Sequence, residues 1–182
     1  MTETTRTYRE IAQESPDGQW ELFRGHVRQK PAMSFEHNDV MTLLAHQLLQ
    51  RLDISVYRVR VNAGRVRAPQ ESYYIPDVTV IPLALAESLR GQPDLLELYT
   101  APLPFVAEVW SPSTGDYDVD AKLPGYRARG DVEIWRIHPF TREVTAWRRH
   151  ADGTYDELTV TGGTLTLSAL PEVTIDLATL FL

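Results

Sequence analysis

The sequence contains no cysteine. That excludes disulfides, thiolate metal sites and a cysteine nucleophile. No apolar run approaches the roughly 18 residues that a membrane helix needs. The start, MTETTRTYRE, lacks the apolar core of a secretory signal. The expectation is a cytoplasmic protein without membrane association. Positive charge is also short: 18 basic residues against 25 acidic ones leave a formal net charge of −7. This argues against a coater of nucleic acid acting through its overall field, but not against a local basic groove. Scarcest of all is lysine: Lys30 and Lys122 stand against 16 arginines. A lysine kept against that habit hints at a need for a compact, titratable ammonium. Absent too are HExxH, a P-loop, a dinucleotide fingerprint and a nucleophile elbow.

What is present suits a soluble globular chain. Its 182 residues are 43% hydrophobic and 24% charged, without repeats or low-complexity blocks, and fit a single domain over residues 1–182. Residues 7–14 read as a short helix and Pro16-Asp17-Gly18 as a turn. Residues 20–30 read as a hairpin around Arg24-Gly25. Ser34 is placed to cap a helix whose apolar stripe is Val40, Leu43, Leu44, Leu48 and Leu52. Residues 55–61 alternate, turn at Asn62-Ala63-Gly64 and return through Arg65-Val66-Arg67, which predicts a second hairpin. Residues 73–81 form a β-rich run, 83–89 a short helix, and 104–110 a buried strand. A helix over about 117–129 ends at Gly130 and is interrupted by Pro124, which implies a kink or a late start. Strands at 132–137 and 143–149, a hairpin turn at Gly162-Gly163 and a helix at 177–181 complete the chain. The intermixing predicts an α/β or α+β fold with a mixed sheet.

Chemistry concentrates on two carboxylates in apolar strands, Asp77 in IPDVTV and Glu108 in FVAEVW, 31 residues apart. A carboxylate in a low-dielectric setting must be paired or bind a metal. Mg²⁺ or Mn²⁺ takes one or two carboxylates and keeps positions for water and phosphate oxygens. The plain alternative is that each acid pairs with one of the arginines. Lys122 follows Glu108 by 14 residues and Tyr126 follows four later, on one face if the segment is helical. Between them lie Ser111, Ser113, Thr114, Asp116, Asp118 and Asp120, ordinary helix-capping types. Returned to the carboxylates, Lys122 could orient water and offset charge on a phosphoryl group. His37 and His46 fall on opposite faces of their helix and cannot share a metal. His37, near the helix start, could touch a phosphate or a carboxylate. Arg58, Arg60, Arg65 and Arg67 form the one basic patch, either a backbone-tracking stripe or a solvated strand face. The aromatics read as core or sheet surface, with base stacking not demanded by their spacing.

In order, IPDVTV, FVAEVWSPST, the D-x-x-x-K-x-x-x-Y of Asp118, Lys122 and Tyr126, and VEIWRIHP resemble the Uma2 family, related to the PD-(D/E)xK restriction-endonuclease-like superfamily. WELFRGHV and FEHNDV are similar to that family's early segments, and the resemblance covers about residues 7–150. It implies a restriction-endonuclease-like core with flanking helices and extra β-hairpins. It implies Asp77 and Glu108 as metal ligands, with Trp110 where the (D/E)xK lysine would stand and Lys122 supplying that lysine from the following helix. Glu21 matches an early acidic position that completes the acidic site. Arg24 and His26 depart from acidic family positions.

The leading expectation is therefore a metal-dependent endonuclease of DNA. Asp77 and Glu108 hold Mg²⁺ or Mn²⁺, Lys122 acts on water or charge, and Glu21 and Tyr126 support the site. Arg58, Arg60 and His37 meet nucleic acid. The alternative is a catalytically silent nuclease fold that binds nucleic acid or a protein partner. A third reading, an acid–base hydrolase built on the same carboxylates, would act in chelator. A homodimer would suit the cutting of both strands.

Overall fold

The computed structural model describes residues 3–14, 18–113, 115, 117 and 121–182. The expected turn residues Pro16 and Asp17, and Thr114, Asp116, Asp118 and Asp120, lie outside them. Helix α1 (Glu3–Glu14) precedes a hairpin of β1 (Trp20–Phe23) and β2 (His26–Gln29). Its turn residues Arg24 and Gly25 take φ of 50° and 81°, the sense that matches strand twist. In α2 (Phe35–Arg51) the Ser34 hydroxyl accepts the His37 N–H at 3.2 Å, an N-cap. Val40, Leu44, Leu48 and Leu52 are buried along one side, as the stripe requires. Full burial of each leucine is worth roughly 2–3 kcal/mol.

Four strands follow: β3 (Tyr57–Val61), β4 (Arg65–Ala68), β5 (Ser72–Tyr74) and β6 (Val78–Pro82). Here the structure departs from the sequence reading. β3 and β4 are no hairpin: β3 pairs with β6 in one sheet, while β4 pairs with β5 in another. The run at 73–81 is likewise two strands in two sheets. They part at Ile75-Pro76-Asp77, where Pro76 has no N–H for a ladder. A short helix α3 (Leu83–Ala86) and a 3₁₀ turn (Glu87–Leu89) lead to β7 (Leu98–Tyr99) and β8 (Phe105–Val109). Helix α4 (Leu123–Arg129) continues from a π-helical turn at residues 121–122, and Pro124 stands in its first turn, where its missing N–H is harmless. Gly130, at φ 81°, ends it.

The rest is β9 (Glu133–His138), β10 (Glu143–Arg149), β11 (Tyr155–Val160), β12 (Thr164–Thr166), β13 (Thr174–Asp176) and α5 (Leu177–Leu180). Gly162-Gly163 does not close a hairpin: β11 pairs with β10, whereas β12 pairs with β13.

The six-stranded sheet has the order β11-β10-β9-β8-β6-β3, parallel only between β8 and β9. The five-stranded sheet is β2-β1-β5-β4-β7. The expected mixed-sheet α+β architecture is the one observed. On one face of the larger sheet, Val78, Val80, Ala107 and Ile137 pack with α2, α5 and the β12–β13 pair. On the other, Val106, Ile134 and Trp147 pack with Tyr126 of α4 and with Val66 and Tyr74 of the smaller sheet. No helix among the described residues is long and apolar enough to cross a membrane.

Candidate functional site

Strands β6 and β8 run antiparallel with Val78 opposite Ala107. One step further, the register sets Asp77 opposite Glu108. The switch between sheets at Ile75–Asp77 therefore delivers the first acid to the edge of the second. Both acids are almost fully buried, as are Glu21, Lys30, His37 and Lys122. Charge in such a place requires partners, and each acid has them.

The Asp77 carboxylate accepts from Lys30 Nζ at 2.5 Å on Oδ1, and from His37 Nε2 at 3.0 Å and the Val109 N–H at 2.7 Å on Oδ2. Because a carboxylate only accepts, the His37 proton sits on Nε2. Burial would raise the Asp77 carboxyl, but the Lys30 ammonium and then the His37 hydrogen bond and charge outweigh it, holding it well below the usual carboxylate range. Among the described residues no arginine pairs with Asp77. Lys30 also donates to the Ile75 carbonyl at 3.0 Å and to Asn62 Oδ1 at 2.6 Å.

Glu108 Oε1 accepts from Lys122 Nζ at 3.1 Å and, in a short hydrogen bond, from the Tyr126 hydroxyl. Lys122 and Tyr126 thus share a face despite Pro124. Lys122 also meets Glu21 Oε1 at 3.0 Å, and that oxygen accepts the Ile75 N–H at 2.8 Å. Glu21 from β1 is thereby tied to the switch segment and to the Lys122 ammonium. Arg28 and Tyr117 line the same cleft, the guanidinium 3.8 Å from the ring centroid. Burial first, then the Glu21 charge, pushes the Tyr117 hydroxyl up to about 12.

The structure brings together Glu21, Asp77, Glu108, Lys122 and Tyr126. It adds Lys30, whose one signal in the sequence was the rarity of lysine, and Arg28 and Tyr117, which had none. His37, expected to touch a phosphate or a carboxylate, is wholly buried with its ring against the Asp77 carboxylate. The structure also dissolves the four-arginine stripe. Arg58 and Arg60 lie on β3 and line a cavity of about 480 Å³ with Arg90, and Arg60 Nε is paired with Glu97 at 2.7 Å. Arg65 lies in the other sheet, its Nε donating to the Tyr8 hydroxyl at 3.1 Å.

Among the described residues no three His, Asp or Glu side chains gather as a metal-holding group, so any divalent cation would rest on two carboxylates and its own waters. Asp77 and Glu108 offer hard oxygens across one cleft, a two-carboxylate set of the kind Mg²⁺ uses while keeping its waters. The cleft they line is small, about 10 Å³, close to what one water fills. An ion there would draw oxygens away from Lys30 and Lys122.

Acids from adjacent strands, faced by ammonium groups at the end of a mixed sheet, mark the class of acid–lysine sites. The particular family follows from comparison. Residues 5–178 match the model of the Uma2 family, described as "Putative restriction endonuclease", and the chain belongs to that family. The fold is similar to the crystal structure of a "putative nuclease belonging to DUF820" from Anabaena variabilis ATCC 29413. The TM-score is 0.73 over 89% of each chain, at 16% sequence identity. No curated protein matches the chain.

Proposed function

We propose that this protein is a metal-dependent endonuclease that hydrolyses DNA phosphodiester bonds, with Asp77 and Glu108 as ligands of Mg²⁺ or Mn²⁺. The observation that carries this reading is the convergence of Glu21, Asp77, Glu108 and Lys122 on one cleft in an Uma2 chain. When bound, the ion supplies Lewis-acid polarisation of a phosphate and a more acidic water. The protein supplies the rest. Lys30 and His37 fix the Asp77 carboxylate, and the Tyr126 hydroxyl fixes Glu108. Lys122, held between Glu21 and Glu108, places an ammonium where it orients a water and opposes charge developing on phosphoryl oxygens. Arg28 at the cleft is a candidate phosphate contact.

Calorimetric titration of Mn²⁺ into wild type, Asp77→Ala and Glu108→Ala tests the ligands, and cleavage of single- and double-stranded DNA tests the activity. The expected result is loss of a binding event and of cutting in both variants. No cutting of any DNA form, with metal binding unchanged in Asp77→Ala, would sink the proposal. One observation favours a second reading, a silent fold that binds nucleic acid or a protein: both Asp77 oxygens are already hydrogen-bonded around a space of about 10 Å³. Metal-independent DNA binding, weakened by replacing Arg58 and Arg60 and without cleavage, would support it.

A further inference from the structure

Two residues beyond Glu108, where the related (D/E)xK pattern has its lysine, stands Trp110. Its backbone N–H donates to the Ile137 carbonyl at 2.8 Å, so the β8–β9 ladder runs one step past the last strand residue. The parallel register that sets Glu108 against Arg136 then sets Trp110 beside His138. The two rings stack, with centroids 4.3 Å apart and planes at 17°. Phe140 stands edge-on to Trp110 at 5.9 Å. Side chains alternate along a strand, and Val109 and Ile137 face the apolar core. Trp110 and His138 therefore lie on the face of Glu108, roughly 7 Å further along, about two base rises. Trp110 and His138 are half-buried, and Phe140 is 52% exposed. Trp110 and His138 thus stand next along their strands from the acidic cleft and reach solvent, while Phe140 also lines a separate cavity with Phe35, Val40, Leu43 and Phe181.

We infer that Trp110, backed by His138 and flanked by Phe140, is a stacking shelf for a nucleobase. The inference rests on the nuclease reading and narrows its substrate. A base within a duplex has both faces covered by its neighbours, so a shelf beside the cleft receives only an unstacked base. The substrate class is single-stranded or locally opened nucleic acid. Stacking is tolerant of sequence, because every base has a π-face.

The test titrates the full chain, in EDTA, with a short oligothymidylate, the same strand annealed to its complement, and a fully abasic strand, following tryptophan emission and affinity. The oligothymidylate quenches emission and binds; the duplex and the abasic strand do not quench. Trp110→Phe keeps most of the affinity and loses the quench. Trp110→Leu, which fills the space without a π-face, binds about ten-fold more weakly or worse. If Trp110→Leu loses its fold, judged by its urea midpoint, the exposed Phe140→Ala serves instead and also weakens binding. Equal affinity in wild type and the folded variant, or equal quenching by the abasic strand, overturns the shelf. Mn²⁺-dependent cleavage of the same strands reads the nuclease proposal separately. Cleavage that ignores Trp110 overturns the shelf alone, whereas quenching without cleavage of any strand overturns the nuclease reading and supports base binding.

Discussion

Lys30 and Lys122, the only lysines in the chain, meet the same buried acid cluster from two sides. One ammonium lies 2.5 Å from Asp77 Oδ1, the other 3.1 Å from Glu108 Oε1. A guanidinium is a planar fork and an ammonium a compact point charge, so arginine is expected to replace neither of them well.

Lys30→Met leaves Asp77 charged and buried with only His37 and the Val109 N–H. Removing one partner of a buried pair costs about 3–5 kcal/mol. Urea unfolding is expected to show a loss of that size, with little recovery in Lys30→Arg. A change below about 1 kcal/mol, the scale of a surface pair, would show that Lys30 does not balance Asp77.

Tyr126→Phe keeps the ring packed edge-on against Tyr74 at 5.5 Å and removes only the hydroxyl that holds Glu108. Under the proposed activity, kcat falls about ten-fold, equivalent to ~1.4 kcal/mol, with KM unchanged. A raised KM with unaltered kcat would assign the hydroxyl to substrate binding instead.

Gly125 lies in the first turn of α4, where an added Cβ would come within 2.7 Å of the Tyr74 ring and 2.8 Å of its hydroxyl. Tyr74 is buried and cannot swing away. Gly125→Ala therefore displaces α4, destabilising the fold by about 1–3 kcal/mol and drawing Lys122 and Tyr126 off Glu108. Thermal unfolding and cleavage assays should fall together; a wild-type unfolding midpoint would contradict this.

His150 lies 2.8 Å from Asp156 on the surface. The hydrogen bond and then the charge of Asp156 raise its pKa above the ordinary 6.5. A raised folded value means that the pair's contribution is fully present below pH 6.5 and is lost as pH rises through the higher folded value. Proton NMR titration should place His150 above 6.5 and move it back toward 6.5 in Asp156→Asn; an unchanged titration would remove Asp156 as the cause.

The sequence made helix α2 legible because its period and its cap agree, and strand β8 because it is buried on both faces. It made Asp77, Glu108 and Lys122 legible because polar groups stand out in apolar strands and lysine is rare. It did not reveal which strands pair. Arg58–Arg60 and Arg65–Arg67 alternate as a hairpin would, yet pairing is decided by long-range burial, which local pattern does not carry. Lys30 was visible only as a rarity, since its partner Asp77 is 47 residues away. His37 was legible as a neighbour of a carboxylate, but its complete burial depends on the α2 docking angle.

The crossing between sheets at Pro76 has a temporal meaning. Glu21 belongs to one sheet, Glu108 to the other, and Asp77 to the crossing between them. No single sheet contains the set, and a ribosome must release the chain past residue 160 before both sheets can close. Under the proposed activity, chemical competence is thus conditional on finished folding: a truncated or heat-loosened copy is expected to be inert rather than indiscriminate.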